Sequence, residues 1–144
     1  MADYWTHWLS MEGKVAKPPR IYRVNWFRKD QDGTFMWPGY GENMRVLKWI
    51  IDRVSGNAQH PAESPFGYVP HYEDVTWSGI EFSMERFEKI MAVDQNEAIA
   101  EAEDQEKLFT KFGRRMPAVL ERERKNLLRK LHEGKFARVA AKAS

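Results

Sequence analysis

The sequence contains no cysteine among its 144 residues. That absence excludes disulfide bridges, thiolate metal sites and cysteine nucleophiles, and it suits a reducing compartment such as the cytoplasm. Long apolar runs are lacking too, because even the segment 46–54 is interrupted by Lys48, Asp52 and Arg53. A membrane span needs roughly 18 apolar residues, and the first residues do not form a signal peptide. We therefore expect a cytoplasmic protein that does not contact a membrane.

The chain also lacks a strong charge of either sign. Lys and Arg total 23 against 21 for Asp and Glu, which gives a formal net charge of +2. This balance provides no extended positive field, so we expect no nucleic-acid partner. The hydrophobic share of 42% is sufficient for a folded core.

Several familiar catalytic and metal-binding patterns are missing. The histidines are scattered without metal-ligand spacing, at His7, His60, His71 and His132. The segment 28–33 resembles a calcium loop, but Arg28 stands at the first ligand position. Gly39-Tyr40-Gly41 lacks the third glycine of a dinucleotide fingerprint, and no Gly-Lys-Ser/Thr sequence is present. We therefore expect no complete phosphoryl-transfer site and no zinc or calcium site in this chain.

The pattern of the first half predicts an α+β arrangement. An aromatic, helix-compatible stretch at 4–9 either packs on the protein's own core or faces a further part of a larger protein. Residues 21–27 are rich in β-branched and aromatic side chains and predict a strand. A turn at 30–33 and a return strand at 34–37 complete a predicted hairpin. A helix follows, with Asn43 as its N-cap and Gly56 just past its end.

The second half is predicted to be mainly helical after an irregular connection at 55–74. Ser83 and Asp94 are suited to cap helices that reach about 91 and 112, and Gly113 closes the second of these. Pro117 suits the first turn of a last helix that ends at Gly134. The residues 135–144 are expected to form a disordered tail.

One cluster could bind a ligand. Phe27, Phe35, Tyr40 and Asn43, with Trp26 and Trp37 beside them, come from separate predicted elements. Flat aromatic side chains from separate elements can converge to sandwich a purine, and a carboxamide at the rim could select guanine over adenine. The alternative is that the rings pack the hairpin onto the helix and that Asn43 acts only as a cap.

Two sequence segments favour the interpretation that the cluster binds a ligand. The segments 24–30 and 35–47 read VNWFRKD and FMWPGYGENMRVL, and they closely resemble the C-terminal part of GTP-dependent phosphoenolpyruvate carboxykinase. The resemblance continues at 7–11, 65–70, 111–113 and Pro117, and it reaches about Leu131. It implies that residues 1–134 form the guanine-binding C-terminal portion of a larger α/β enzyme lobe. That enzyme is a lyase, a decarboxylase that converts oxaloacetate and GTP to phosphoenolpyruvate, CO₂ and GDP in gluconeogenesis, in the cytosol or in mitochondria.

The same resemblance implies the roles of individual residues. Phe27, Phe35 and Tyr40 correspond to the aromatic walls around guanine, although Tyr40 stands where phenylalanine is usual. Asn43 corresponds to the residue that contacts the base edge, and the nucleotide-binding set is completed by Trp26, Gly41 and Glu42.

The catalytic parts of the family are expected to lie outside this chain. The resemblance implies that the phosphate loop, the lid and the sites for manganese and magnesium precede it. This chain alone is therefore expected to be an inactive, monomeric piece that binds guanine nucleotide and contacts the missing N-terminal portion.

A second function class stays open. A non-enzymatic helical module could dock on a protein or nucleic acid through basic residues of the last helices, namely Arg114, Arg115, Arg122, Arg124, Lys125, Arg129 and Lys130. Glu121 and Glu123 dilute this charge, as is typical of a solvated helix face.

Overall fold

The computed structural model describes residues 1–57 and 60–134. Within these ranges it has five α-helices: α1 (Ala2–Leu9), α2 (Asn43–Val54), α3 (Met84–Met91), α4 (Gln95–Phe112) and α5 (Ala118–Glu133). An antiparallel pair, β1 (Ala62–Ser64) and β2 (Gly67–Val69), forms the sheet, in which Glu63 is paired with Tyr68. The α+β prediction is confirmed. Of the helices in these ranges, none combines the length and apolarity that crossing a bilayer demands.

The described residues divide into two compact units. The first unit combines Met1–Pro19 with the described residues from Val93 onward, and the second unit consists of Arg20–Ala92. The first unit therefore contains α1, α4 and α5, whereas the second contains α2, α3 and the β-hairpin. The predicted tail at 135–144 lies outside the described residues.

Helix α1 packs one aromatic side chain on its own unit and leaves two others exposed. On one side, Trp5 packs edge-on against Phe109 and Phe112 of α4, with ring centroids 6.2 and 5.0 Å away, and Ala2 is buried. On the other side, Tyr4 and Trp8 are each 59% exposed and contact one another at 6.0 Å. The helix thus docks on its own unit and still presents an aromatic pair to solvent.

Capping residues fix the ends of α4 and α5 as the sequence predicts. The Asp94 carboxylate accepts a hydrogen bond from the Glu97 N–H at 2.9 Å, which satisfies one of the free donors of the first turn. Gly113 and Gly134 follow the two helices with φ of 51° and 60°, values that favour glycine. On the inner side of α5, Leu131 is completely buried.

The second unit has an aromatic core. Trp77 stacks on Tyr72 and Phe82 with centroids 5.4 and 4.6 Å apart, and Phe87 of α3 meets its ring edge-on at 5.9 Å. Ser83 caps α3 by accepting the Arg86 N–H at 3.2 Å, as predicted. Trp37 joins this core through ring contacts with Trp77 and Phe82, and we call these five rings the aromatic core.

The predicted strands at 21–27 and 34–37 are both wrong. Residues 21–27 are irregular, and pairing in this region is limited to one bridge between Lys29 and Phe35. The Asn25 side chain accepts the Phe27 N–H at 3.0 Å, a local bond that competes with strand pairing. Pro38 and Gly39 end the return segment after a few residues. The turn itself is confirmed, because Gly33 has φ of 83° and its N–H donates to the Asp30 carbonyl.

The sheet lies instead within the segment that was predicted to be irregular. The Ser64 hydroxyl donates to the Gly67 carbonyl at 2.7 Å and accepts the Phe66 N–H at 3.2 Å. These bonds close the turn between β1 and β2. Strands of three residues are too short for a period-two pattern to predict.

Candidate functional site

A tight turn presents Phe27 and Phe35. The Asp30 N–H donates to the Thr34 carbonyl at 2.8 Å and the Met36 N–H donates to the Arg28 carbonyl at 2.9 Å, one on each side of the Lys29–Phe35 bridge. The two phenyl rings contact one another with centroids 6.2 Å apart and planes inclined at 66°. The Lys29 ammonium lies 5.0 Å from the centroid of Phe35. The turn, which we call the Phe27–Phe35 turn, therefore carries an aromatic pair with a cation beside it.

Charged side chains attach this turn to the C-terminal end of α3. The Arg28 guanidinium donates to the carbonyls of Ile90 and Ala92 at 2.8 and 2.6 Å, groups that a helix end leaves without partners. Lys89 pairs with the Asp30 carboxylate at 2.5 Å. The hydrogen bond from Lys89, followed by the bond from the Gln31 N–H, lowers the pKa of Asp30. The position of the aromatic pair is thus tied to α3.

A second loop presents Tyr40. Gly39 has φ of 136°, which a residue with a side chain adopts only with strain, and the short 3₁₀ turn Tyr40–Glu42 follows. The Glu42 carboxylate accepts a hydrogen bond from Arg45, whose guanidinium also donates to the carbonyls of Thr76 and Ser78. Glu42 therefore holds the loop, and its carboxylate is engaged by Arg45.

Asn43 does not cap α2, contrary to the prediction. It is the first residue of the helix, Glu42 stands at the N-cap position, and no side chain caps this end. The carboxamide oxygen of Asn43 instead accepts a hydrogen bond from the Trp37 indole N–H at 2.8 Å. Within the described residues the carboxamide NH₂ group of Asn43 makes no hydrogen bond.

Exposure separates the predicted site residues into two groups. Phe27, Phe35 and Tyr40 are 73%, 49% and 91% exposed, which does not fit the alternative that these three rings pack the hairpin onto the helix. Trp37 is buried in the aromatic core, and half-buried Trp26 contacts it with centroids 5.4 Å apart. The structure brings Phe27 and Phe35 together and leaves Tyr40 on a separate loop. The two phenyl rings already touch, so this pair leaves no gap between its rings for a purine, contrary to the expected sandwich.

The described residues offer no ready metal site. In residues 1–57 and 60–134, no group of three or more His, Cys, Asp or Glu side chains could hold a metal ion. The manganese that the resemblance implies therefore finds no such ligand set among the described residues.

The structure also bears on the alternative function, a helical module that docks through basic residues. Arg124 is buried, where it donates to the Glu121 carboxylate at 3.0 and 2.7 Å and to the Ala102 carbonyl at 3.2 Å. Lys125 pairs with the same glutamate, and Arg129 pairs with Glu133. Placing Arg124 on a docking surface was therefore wrong, and its neighbours' charges are partly compensated.

Sequence reasoning missed the residues that position the site. Arg28, Asp30 and Arg45 are recognisable in the sequence as charges beside aromatic residues, but their partners lie about 30 to 60 residues away. No spacing rule connects such distant positions. The bond between Trp37 and Asn43 was missed because the helix start offered a simpler role for the asparagine.

Comparison with known proteins gives the family. A family described as "Phosphoenolpyruvate carboxykinase C-terminal P-loop domain" matches residues 1–130. The GTP-dependent phosphoenolpyruvate carboxykinase of Anaeromyxobacter dehalogenans (strain 2CP-C) is 42% identical over 130 residues, which is 90% of this chain and 22% of that protein. The enzymes of the same name from Neocallimastix frontalis and Chlamydia muridarum are 46% and 42% identical, over 83% and 81% of this chain and 20% of each relative.

These matches and the α+β fold show that the chain corresponds to a C-terminal segment of a larger enzyme. The chain belongs to the GTP-dependent phosphoenolpyruvate carboxykinase family. It spans about a fifth of the length of the curated relatives it matches.

Proposed function

We propose that this chain supplies the guanine-recognition surface of a GTP-dependent phosphoenolpyruvate carboxykinase. The whole enzyme would decarboxylate oxaloacetate, and the enolate left behind would take the terminal phosphoryl group of GTP, giving phosphoenolpyruvate, CO₂ and GDP. The observation that carries the proposal is that Phe27, Phe35 and Tyr40, the residues that correspond to the family's guanine walls, are exposed. Aromatic rings that keep much of their surface exposed are suited to stack on a base.

Stacking and a polar edge would divide the work of recognition. Stacking contributes roughly 1 to 3 kcal/mol per base and does not distinguish purines, since every base has a flat face. Discrimination requires hydrogen-bonding groups that one base satisfies and another leaves unpaired. Asn43, with an unengaged NH₂ group at the start of α2, is the group we assign to this role.

The rest of the enzyme would provide the chemistry. The sequence has no Gly-Lys-Ser/Thr phosphate loop, and the described residues hold no metal-ligand cluster. We propose that the sites for phosphate, manganese and magnesium belong to the remaining four-fifths of the full-length protein, and that this chain alone is inactive. We further propose that the whole enzyme acts in gluconeogenesis in the cytoplasm and that this chain is monomeric.

The exposed aromatic pair on α1 fits the same account. Tyr4 and Trp8 present a contiguous apolar surface on the first unit, although neither belongs to the proposed base site. We assign this surface to contact with the remainder of the full-length protein, because the matching part of this chain covers only 22% of the relative from Anaeromyxobacter dehalogenans.

Nucleotide titration of this chain tests the proposal. GTP, GDP, guanosine and ATP are added while tryptophan emission is followed, because Trp37 and Trp26 adjoin the site. Guanosine should bind almost as well as GTP, and ATP should bind more weakly. Asn43→Ala should reduce the preference for guanine about tenfold, the effect of one hydrogen bond worth about 1.4 kcal/mol.

A matched variant controls for the loss of an asparagine. Asn96 is exposed on α4 in the first unit, so Asn96→Ala should leave every affinity unchanged. Equal binding of ATP and GTP by the unmodified chain would contradict the proposal. An oxaloacetate decarboxylation assay on the chain should stay blank, and measurable turnover would show that the catalytic centre lies within it.

A further inference from the structure

We propose that Trp37 is a positioning residue that sets purine specificity by holding the carboxamide of Asn43 in one of its two orientations. This inference rests on the guanine binding proposed above. It concerns a buried residue that would not touch the nucleotide, and it explains why the asparagine would present a donor to the base.

The orientation of the carboxamide follows from the chemistry of its partner. The indole N–H can only donate a hydrogen bond, so the Asn43 atom 2.8 Å from it must be the oxygen. A flipped carboxamide would place its NH₂ group against the indole N–H, and two donors would face one another without an acceptor. The observed arrangement therefore excludes one of the two flips.

The tryptophan itself is held in place. Trp37 is 7% exposed and contacts three other rings: Trp26 at 5.4 Å, Trp77 at 6.4 Å and Phe82 at 6.0 Å between centroids. A ring packed on several sides cannot rotate to follow the asparagine. The fixed indole therefore determines the carboxamide, and the NH₂ group of Asn43 is the part left for a ligand.

A fixed donor distinguishes the two purines. Guanine presents O6 and N7, which are both acceptors, along one edge of the base. Adenine replaces O6 with an amino group, so a donor on the protein would face a donor on the base. The carboxamide orientation that Trp37 enforces thus favours guanine, whereas the flipped one would offer an acceptor to adenine.

Nucleoside analogues test the orientation of the Asn43 carboxamide without any mutation. Guanosine, inosine, 2-aminopurine riboside and adenosine are compared by calorimetric titration of the unmodified chain. Inosine keeps O6 and should bind within about fivefold of guanosine, and 2-aminopurine riboside lacks O6 and should lose about tenfold, the effect of one hydrogen bond. If 2-aminopurine riboside bound as well as guanosine, the proposed orientation would be overturned.

Two matched variants test the role of the indole. Trp37→Phe keeps an aromatic ring but removes the N–H, which frees the carboxamide to flip, so the ratio of guanosine to adenosine affinity should fall about tenfold. Trp77→Phe is the control, because it removes an indole N–H from the same aromatic core, one that donates to the Tyr72 carbonyl and not to Asn43. Trp77→Phe should leave the ratio unchanged, and an equal fall in both variants would reduce the effect to packing and overturn the proposal.

The outcomes separate this inference from the proposed function. If the unmodified chain does not prefer guanosine to adenosine, guanine recognition is wrong and the role of Trp37 falls with it. If the unmodified chain prefers guanosine and Trp37→Phe retains that preference, only the role of Trp37 is wrong. Circular dichroism identifies a variant that fails to fold, and in that case the analogue series on the unmodified chain decides.

Discussion

Phe27 and Tyr40 keep most of their ring surface in water, whereas Trp37 and Phe82 are buried and Trp77 is half-buried. Burying an aromatic side chain is among the larger favourable contributions to folding, so rings left exposed beside one another suggest a binding surface. The composition of the sequence does not reveal this division. The aromatic cluster could be predicted from the sequence, but burial depends on which rings find partners in the aromatic core.

Phe27→Ala separates binding from stability. Because Phe27 is largely exposed, its loss should change the free energy of unfolding by less than about 0.5 kcal/mol. Guanosine affinity should fall about 5- to 100-fold, which corresponds to roughly 1 to 3 kcal/mol of stacking. Titration and urea unfolding measure the two effects. Phe66→Ala is the control, because it removes an exposed ring from the turn between β1 and β2. It should leave guanosine affinity unchanged and should have a similarly small effect on the free energy of unfolding.

Tyr40→Phe should have little effect. The Tyr40 ring is the most exposed of the three, so its hydroxyl is free to hydrogen-bond with water. Removing the hydroxyl keeps the stacking face, and guanosine affinity should stay within about twofold. Tyr40→Ala should lose affinity as Phe27→Ala does. A large loss in Tyr40→Phe would show instead that the hydroxyl contacts the nucleotide.

At the scale of elements, the Phe27–Phe35 turn depends on α3. Arg28 reaches two carbonyls at the end of that helix, and Asp30 pairs with Lys89. Hydrogen bonds from a charged donor to carbonyls contribute more than neutral ones. The turn is therefore expected to lose its fixed position when these contacts are removed, although the aromatic pair itself is unchanged.

Arg28→Ala should weaken guanosine binding without altering any proposed contact to the base. We expect about a tenfold loss, together with a free energy of unfolding lower by about 1 to 3 kcal/mol. Lys29→Ala, one residue along the chain, is the matched control for lost charge. It removes the ammonium beside Phe35 but leaves the anchor to α3 intact, so its effect should be smaller. Equal affinities of Arg28→Ala and the unmodified chain would refute the positioning role.

The contribution of the contact between α4 and α5 to the free energy of unfolding should depend on pH. Hydrogen bonds from buried Arg124 lower the pKa of Glu121 relative to its ordinary value. A carboxyl whose pKa is lower in the folded state stabilises the fold fully above its unfolded-state pKa of about 4.3. That stabilisation is lost as the pH falls through the lower folded-state pKa. Urea unfolding between about pH 2 and 6 should show this loss, and Glu121→Gln should reduce its slope.

Helix ends could be predicted, whereas strands could not. Ser83, Asp94, Gly113 and Gly134 each act through neighbours three or four residues away, so the sequence contains their whole context. The strand prediction at 21–27 relied on residue preference alone, and a strand needs a partner that the sequence does not identify. Asn43 was predicted to be a helix cap because asparagine is common at that position. Its actual partner, the indole N–H of Trp37, does not belong to the helix, so the capping pattern does not indicate it.

At the scale of the whole molecule, the chain spans about a fifth of its relatives' length, and its described residues fold as two units. The family could be recognised from short segments of the sequence, because a motif such as WPGYGEN is specific. The division into units could not, since the first unit joins the beginning of the chain to its last helices. Such a union depends on contacts like that between Trp5 and Phe112, more than a hundred residues apart.

In the full-length enzyme, Asn43→Ala should raise the KM for GTP about tenfold and leave kcat nearly unchanged. Contacts to the base are equally strong in the ground state and the transition state, so their loss weakens binding without slowing the chemical step. Steady-state kinetics with saturating oxaloacetate measure both constants. A fall in kcat at unchanged KM would place Asn43 near the reacting groups.

The most direct test of guanine recognition is nuclear magnetic resonance of this chain during titration with guanosine. We predict that the resonances of the Phe27, Phe35 and Tyr40 backbone amides and of the Asn43 side-chain NH₂ shift, while the resonance of the Trp5 indole N–H in the first unit does not. Adenosine should produce smaller shifts at Asn43. Shifts confined to other residues, or none at millimolar guanosine, would contradict the account.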